Sequence, residues 1–200
     1  MKLYILFILI FIFNSIEAQT DTSIVWLGEI DSTIVTDVRY ATTNNFTGKV
    51  LYPTAKVYLR KIVAEKLSGA NRYLMENYNL RIKIFDGYRP LSVQKEMWKI
   101  MPDDRYVANP AKGSRHNRGA AVDVTLIDSL GNELDMGTEY DNFTVKAHPS
   151  YKNLPEKVLL NRKLLRDVMI KSGFLPINSE WWHFDFKGWK KFSILDEPVK

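Results

Sequence analysis

The sequence predicts an α+β domain with a small, mainly antiparallel sheet and helices packed on one side. Long segments repeat apolar residues at helical spacing, short segments alternate apolar with polar residues, and the helices cluster between non-adjacent strands. The 200 residues are 46% hydrophobic and 12% aromatic, which is enough for one hydrophobic core. One globular domain is therefore expected.

The first half of the chain combines strand and helix patterns. Residues 24–38 alternate loosely, which predicts one or two short strands near an edge of the sheet. Apolar residues recur at helical spacing over 56–78, so a long amphipathic helix is expected there. Clean alternation over 80–85 predicts a half-buried strand, and Asp86 and Gly87 turn the chain at its end.

Prolines and glycines delimit the later elements. A second helix is predicted over 92–101, because Pro90 opens it and Pro102 stops it. After a polar loop, a strand is expected over 120–127, then a helix over 155–171 with Gly173 as its C-cap. The last strand is predicted over 181–186.

The first residues differ in kind from the rest of the chain. Lys2 supplies a positive start, residues 3–13 are an unbroken apolar run, and Ala18 is the small residue after which signal peptidases cut. A membrane anchor is the alternative, but the run is shorter than the roughly 20 residues of a spanning helix. We therefore expect a signal peptide at 1–18 and a single mature domain at 19–200. The mature protein is expected to be periplasmic or secreted, without stable membrane insertion.

Charge and cysteine content exclude several functions. The 28 Lys and Arg against 23 Asp and Glu give a net charge of +5, and no basic run is interleaved with aromatic residues, so nucleic acid is not an expected partner. The absence of cysteine excludes disulfides, thiolate nucleophiles, iron–sulfur clusters and Cys-ligated zinc. Any metal must be held by His, Asp or Glu.

Two segments contain a histidine close to a carboxylate residue. His116 lies in a glycine-containing loop, and Asp123 soon afterwards interrupts an apolar strand, where an unpaired carboxylate would cost several kcal/mol. Near the C-terminus, strand alternation places His183 on the polar face, with Glu180 at the start of the strand. The third histidine, His148, lies in a polar loop and is expected to have no catalytic part.

These residues together suggest a metal site. Two imidazoles and one carboxylate are the usual protein ligands of a catalytic zinc that keeps its fourth position for water. His116, Asp123 and His183 are therefore candidate ligands of one Zn²⁺ per chain. A nearby glutamate that is not a ligand can act as a base on that water, which makes Glu180 the candidate general base. Each residue taken alone is also explained as a hydrogen-bonded buried polar group.

Several further motifs occur in a fixed order. They are Asp-Val-Arg-Tyr-Ala-Thr at 37–42, Asn-Phe-Thr-Gly at 45–48, Asp-Gly-Tyr-Arg-Pro at 86–90, Ser-x-His-x-x-Gly-x-Ala-x-Asp at 114–123, Met-Gly at 136–137 followed by Asp141, and Glu-Trp-Trp-His at 180–183. Together they resemble the zinc D-alanyl-D-alanine dipeptidases, the VanX-like branch of the D,D-peptidase metallopeptidase family. The resemblance covers roughly residues 26–200 and implies a D,D-peptidase/hedgehog-like fold with a small-molecule dipeptide as substrate.

The resemblance also implies roles for single residues. It assigns the zinc ligands to His116, Asp123 and His183, and makes Glu180 the general base and later the acid. It makes Arg89 the group that polarises the scissile carbonyl and steadies the tetrahedral intermediate.

Three further residues match family positions near the amino end of the substrate. These are Ser114, Asp141 and Tyr40. A turn role for Asp141, core packing for Tyr40, and a surface salt bridge between Arg89 and Asp86 are the corresponding alternatives.

Two other functions remain open at this stage. A D,D-carboxypeptidase or peptidoglycan endopeptidase would use the same zinc site but cleave pentapeptide stems and ignore a blocked amino terminus. A non-catalytic, zinc-stabilised module that binds cell-wall peptides would tolerate Glu180→Gln.

Overall fold

The computed structural model describes residues 23–200, so the predicted signal peptide lies outside the described residues. The strands are β1 (Ile24–Trp26), β2 (Val35–Thr36), β3 (Tyr58–Arg60), β4 (Arg81–Asp86), β5 (Ala121–Ile127), β6 (Phe174–Pro176) and β7 (His183–Phe186). The helices are α1 (Leu27–Ile30), α2 (Lys61–Tyr78), α3 (Leu91–Ile100) and α4 (Glu156–Lys171). Within residues 23–200, no helix is long and apolar enough to cross a membrane.

The main sheet has five strands in the order β2-β4-β5-β7-β6. The β2–β4 pair is parallel, and the other neighbouring pairs are antiparallel. The helices α2 and α4 pack against each other, and they contact β4 and β6 respectively. The predicted α+β fold, with a mainly antiparallel sheet and helices on one side, is confirmed. A separate two-stranded sheet pairs β1 with β3.

The central strand β5 is buried along both faces. Val124 pairs with Ile84 of β4, and these apolar side chains belong to the core that α2 covers. Because side chains alternate along a strand, Asp123 points to the opposite face. There it pairs directly with His183 of β7. The sheet therefore has an apolar face for the helices and a polar face for the site.

A β-bulge lies between Ile84 and Asp86 in β4. Regular alternation would place both side chains on the helix-covered face. The extra residue instead sets Asp86 opposite Asp123, on the polar face. The bulge thereby directs the segment after β4 toward the site.

Two element boundaries were predicted incorrectly. The helix predicted over 56–78 begins at Lys61, because Tyr58–Arg60 pairs with β1 as strand β3. Buried Val57 and Leu59 fit either structure over so short a segment, and pairing with a distant strand decides between them. The last strand begins at His183 rather than residue 181, and the three-residue strand β6 was not predicted.

Candidate active site

All eight residues singled out in the sequence line one cavity of about 120 Å³. They are Tyr40, Arg89, Ser114, His116, Asp123, Asp141, Glu180 and His183. All are buried except Asp141, which is partly exposed. His148 is not among the lining residues, and its carbonyl oxygen accepts a hydrogen bond from Arg162 at 3.3 Å.

The loop that carries His116 is shaped by a glycine. A short 3-10 turn at His116–Arg118 ends at Gly119, whose φ of +63° is a left-handed conformation. A Cβ at this position would lie 2.6 Å from Cδ1 of Ile24 and 3.2 Å from the backbone nitrogen of Arg60. Glycine therefore allows both the turn and the close approach of the loop to β3.

His116, Asp123 and His183 bring one ligand atom each to a common point. Oδ1 of Asp123 lies 3.0 Å from Nδ1 of His183 and 3.4 Å from Nε2 of His116. The two histidine nitrogens are 3.2 Å apart. Within the described part of the chain, this is the group of three that could hold a metal ion.

The outward ring nitrogens of both histidines have hydrogen-bond acceptors. Nδ1 of His116 lies 2.7 Å from the carbonyl oxygen of Gly87, and Nε2 of His183 lies 2.8 Å from Oδ1 of Asp185. Each of those nitrogens therefore carries the proton in the neutral ring, which leaves the inward nitrogens as lone pairs. Two lone pairs and one carboxylate oxygen then face each other, so the donor set fits a cation.

In the metal-free protein, hydrogen bonds and charges strongly shift the pKa of the two candidate ligands that lie on strands, Asp123 and His183. Burial alone would raise the pKa of Asp123, but the two histidines outweigh it and hold that pKa well below its usual value. Burial alone would lower the pKa of His183, but hydrogen bonds to Asp123 and Asp185 raise it to about 10. The second oxygen of Asp123 accepts a hydrogen bond from the Tyr140 hydroxyl at 3.0 Å, which fixes the carboxylate plane.

Glu180 is buried beside the metal group without being part of it. Its Oε2 lies 4.0 Å from Nδ1 of His183. Burial is the main reason that its pKa rises to about 8, and the negative charges of Asp123 and Asp141 act in the same direction. A carboxyl group with this pKa can both accept and return a proton near neutral pH.

Arg89 is held in place by two buried partners. Its guanidinium binds Oδ2 of Asp86 through Nε at 3.0 Å and Nη2 at 2.7 Å, and Nη1 donates to Gln94 at 2.9 Å. The salt bridge with Asp86 therefore exists, but it is buried rather than on the surface. These three bonds use three of the five guanidinium hydrogens, so two remain for a substrate oxygen.

Tyr40 and Asp141 contact each other in the wall of the same cavity. The Tyr40 hydroxyl lies 3.2 Å from both carboxylate oxygens of Asp141, and the backbone N–H of Phe46 donates to Oδ2 at 3.3 Å. Burial, and then the charge of Asp123, raise the pKa of Asp141 to about 7. Asp141 also has a φ of +58°, which is typical of a turn. It therefore forms part of a turn and lines the cavity as well.

Ser114 is joined to the histidine loop through Asn117. The backbone N–H of Ser114 donates to the Asn117 side-chain oxygen at 2.7 Å, and the Asn117 amide nitrogen donates to the carbonyl oxygen of Arg89 at 2.8 Å. The backbone N–H of Arg89 also donates to the carbonyl oxygen of His116 at 3.1 Å. The loop carrying His116 and the segment carrying Arg89 are thus locked together.

Four residues support the site: three of them were not predicted to do so, and Asp86 was expected only in a turn or a surface salt bridge with Arg89. Tyr140 and Asp185 orient two of the candidate ligands, while Asp86 and Gln94 hold Arg89. A signal for Asp185 was present, because strand alternation places it on the same face as His183. The partners of Tyr140 and Gln94 are distant in the chain, so no local pattern indicates them.

The chain matches the family model described as D-ala-D-ala dipeptidase, Peptidase_M15, over residues 20–196. It therefore belongs to this family of peptidases. The D-alanyl-D-alanine dipeptidase of Escherichia coli (strain K12) is 35% identical over 174 residues, covering 87% of this chain and 90% of the relative. The D-alanyl-D-alanine dipeptidase of Enterococcus faecalis (strain ATCC 700802 / V583) is 31% identical over 184 residues, covering 81% of this chain and 86% of the relative. Among solved structures, VanYB in complex with D-alanine-D-alanine is 15% identical, with a TM-score of 0.45 over 70% of this chain and 77% of that one.

Proposed function

We propose that this protein is an exported zinc peptidase that hydrolyses D-alanyl-D-alanine, or a closely related D,D-dipeptide, to free D-amino acids. One observation carries the proposal: a single cavity of about 120 Å³ is lined by a metal-type ligand group, a buried glutamate, a buried arginine and the further carboxylate of Asp141. In dipeptide hydrolysis these groups would activate water, transfer the proton, stabilise the oxyanion and bind the free amino group, respectively. The names of the curated relatives support the same substrate.

Asp141 supports recognition of a free amino terminus. The carboxyl group receives hydrogen bonds from Tyr40 and Phe46, but no cationic side chain among residues 23–200 forms an ion pair with it. Burial therefore raises its pKa to about 7, and a bound ammonium group would restore the charged form. A substrate with a blocked amine lacks that charge, which favours a dipeptidase over an endopeptidase.

Zinc is the proposed metal because two imidazoles and one carboxylate are a common catalytic zinc set. When bound, zinc lowers the pKa of water and polarises the scissile carbonyl. Glu180 takes the proton from the attacking water and then donates it to the nitrogen of the leaving amine. Its position, with Oε2 4.0 Å from Nδ1 of His183, places it beside the metal group for both transfers.

Arg89 is proposed to stabilise the oxygen of the scissile carbonyl as negative charge develops on it. Asp86 and Gln94 hold the guanidinium before the substrate arrives, so little reorganisation is needed. The two remaining guanidinium hydrogens are available to that oxygen. The guanidinium also lies 5.3 Å from the centre of the ring of Tyr40, whose hydroxyl contacts Asp141.

The substrate proposal is tested by measuring release of free D-alanine by the chain from Gln19 onward. The substrates are D-Ala-D-Ala, its N-acetylated form and a pentapeptide stem, each with and without a chelator. We expect chelator-sensitive release from the free dipeptide alone. The matched variant Asp141→Asn should raise KM for the dipeptide with a smaller change in kcat, because it removes the charge that faces the ammonium group.

Other outcomes of the same assay identify the alternatives. Release from the blocked or longer substrates, but not from the free dipeptide, would identify a carboxypeptidase or endopeptidase. No release from any substrate by zinc-loaded protein would support a binding module.

Export is proposed from the N-terminal sequence, which combines Lys2, the apolar run over 3–13 and Ala18. Mass spectrometry of the full-length protein expressed in a bacterium tests it. We expect the chain outside the cytoplasm to begin at Gln19. Retention in the cytosol with Met1 intact would contradict the proposal.

A further inference from the structure

A row of side chains connects His183 to the protein surface. Nε2 of His183 lies 2.8 Å from Oδ1 of Asp185, and Oδ2 of Asp185 lies 3.3 Å from Nε of Arg115. The guanidinium of Arg115 lies 4.8 Å from the centre of the Trp189 ring. We call the pair Arg115 and Asp185 the brace.

Strand geometry places Asp185 on the same face as Asp123 and His183. Asp185 follows His183 by two residues in β7, so the two side chains point the same way. Asp185 pairs with Ala121 across the sheet, while His183 pairs with Asp123. The small side chain of Ala121 leaves this part of the face to the carboxylate.

The two oxygens of Asp185 are divided between two partners. Oδ1 faces the histidine and Oδ2 faces the arginine. An acceptor oxygen at this distance keeps the proton of the neutral ring on Nε2 and leaves the lone pair of Nδ1 facing the metal group.

We propose that Arg115 and Asp185 are positioning residues that orient His183 toward the metal and increase the zinc affinity of the site. The inference rests on the proposed zinc site. In this arrangement Asp185 acts directly on the ring, and Arg115 acts through Asp185 by holding and neutralising its second oxygen. Neither residue is one of the three candidate ligands.

The test is the zinc dissociation constant, measured without substrate by competition with a chelator of known affinity. Asp185→Asn should weaken zinc binding by about 10- to 100-fold, because it removes the charge while keeping the shape. Arg115→Met should weaken it less, and Arg115→Lys should restore part of that loss. In the double variant, Arg115→Met should add nothing to the effect of Asp185→Asn.

Two controls separate positioning from a general structural effect. Lys190→Met removes another cation near Trp189, at 5.9 Å from the ring centre, and should leave zinc affinity unchanged. Thermal unfolding of the metal-free variants checks their folding. The Arg115 side chain is 45% exposed, so Arg115→Met keeps the test available even if Asp185→Asn fails to fold.

The possible results lead to different conclusions. Wild-type affinity in Asp185→Asn, or losses that multiply in the double variant, would overturn the brace and leave the proposed function standing. If the wild-type protein itself binds no zinc, both the brace and the proposed function fail. If all the zinc affinities are as expected but the wild-type protein does not hydrolyse D-Ala-D-Ala, only the proposed function fails.

Discussion

Asp123 and His183 are direct partners across the β5–β7 pair, and their side chains meet at 3.0 Å on the face away from the helices. The backbone hydrogen bonds of the sheet therefore set the positions of two of the three candidate metal ligands. The third, His116, depends on a loop. Changes to that loop should affect the metal group without disturbing the sheet.

Gly119→Ala should lower the free energy of unfolding by about 1–3 kcal/mol and weaken zinc binding. The added methyl group meets both a φ of +63° and close contacts with Ile24 and Arg60. Gly48→Ala is a matched control, because Gly48 has the same φ of +63° but open space around it. Urea unfolding and zinc titration compare the two variants. Equal zinc affinity in both would show that crowding at Gly119 does not control the loop.

Glu180→Gln should reduce kcat for D-Ala-D-Ala by about 10²- to 10⁴-fold, because the amide cannot accept the proton of the attacking water. Zinc content should stay at one ion per chain, since Glu180 is outside the group of three. Steady-state kinetics and metal analysis of the same preparation provide the two readouts. Unchanged kcat with full zinc content would rule out the proposed role.

Arg89→Lys should lower kcat/KM by about 10²- to 10³-fold and leave zinc affinity unchanged. Lysine keeps the charge, but it cannot bind Asp86 and Gln94 together and still present two hydrogens to the substrate. Kinetics and zinc titration together test this. Full activity in Arg89→Lys would contradict oxyanion stabilisation by the guanidinium.

Removing the metal should lower the unfolding temperature, and adding zinc back should restore it. The three candidate ligands come together only in the folded chain, so a bound cation stabilises that state and not the unfolded one. Scanning calorimetry with a chelator, and then with excess zinc, measures the shift. His116→Ala should show no zinc-dependent shift, whereas His148→Ala should behave as the wild type. A zinc response that survives in His116→Ala would place the metal elsewhere.

Asp141→Asn should reduce the pH dependence of stability in the metal-free protein. The pKa of Asp141 rises from 3.8 to about 7 on folding, so the folded chain binds this proton more tightly. The resulting stability is complete below about pH 4 and is lost as the pH rises toward about 7. Asparagine keeps the shape and tolerates a φ of +58°. Between pH 5 and pH 7.5, the free energy of unfolding measured with urea should therefore decrease less in the variant than in the wild type.

The control for this experiment is Asp167→Asn, an exposed position on α4. It should show the same decrease as the wild type. If the free energy of unfolding of Asp141→Asn falls between the two pH values as much as that of the wild type, the carboxyl group of Asp141 is not the titrating group.

The sequence by itself determined much of the architecture. Helical and alternating periodicities predicted α2, α3, α4, β4, β5 and β7 to within a few residues, because each pattern reflects which side chains a core must bury. The residue pattern predicted the three candidate ligands and Glu180, and the family resemblance added Arg89, Ser114, Asp141 and Tyr40; all eight are among the residues that line the cavity.

Only the tertiary structure decided how those groups are arranged. The bulge after Ile84 moves Asp86 to the polar face, against the alternation of the strand. Tyr140 reaches Asp123, and Asp185 meets Arg115, through contacts between distant segments. Pairing with β1 likewise converts the predicted start of α2 into β3. Such outcomes depend on which distant partner is available for a buried polar group or a strand edge, and periodicity along one segment contains no information about that partner.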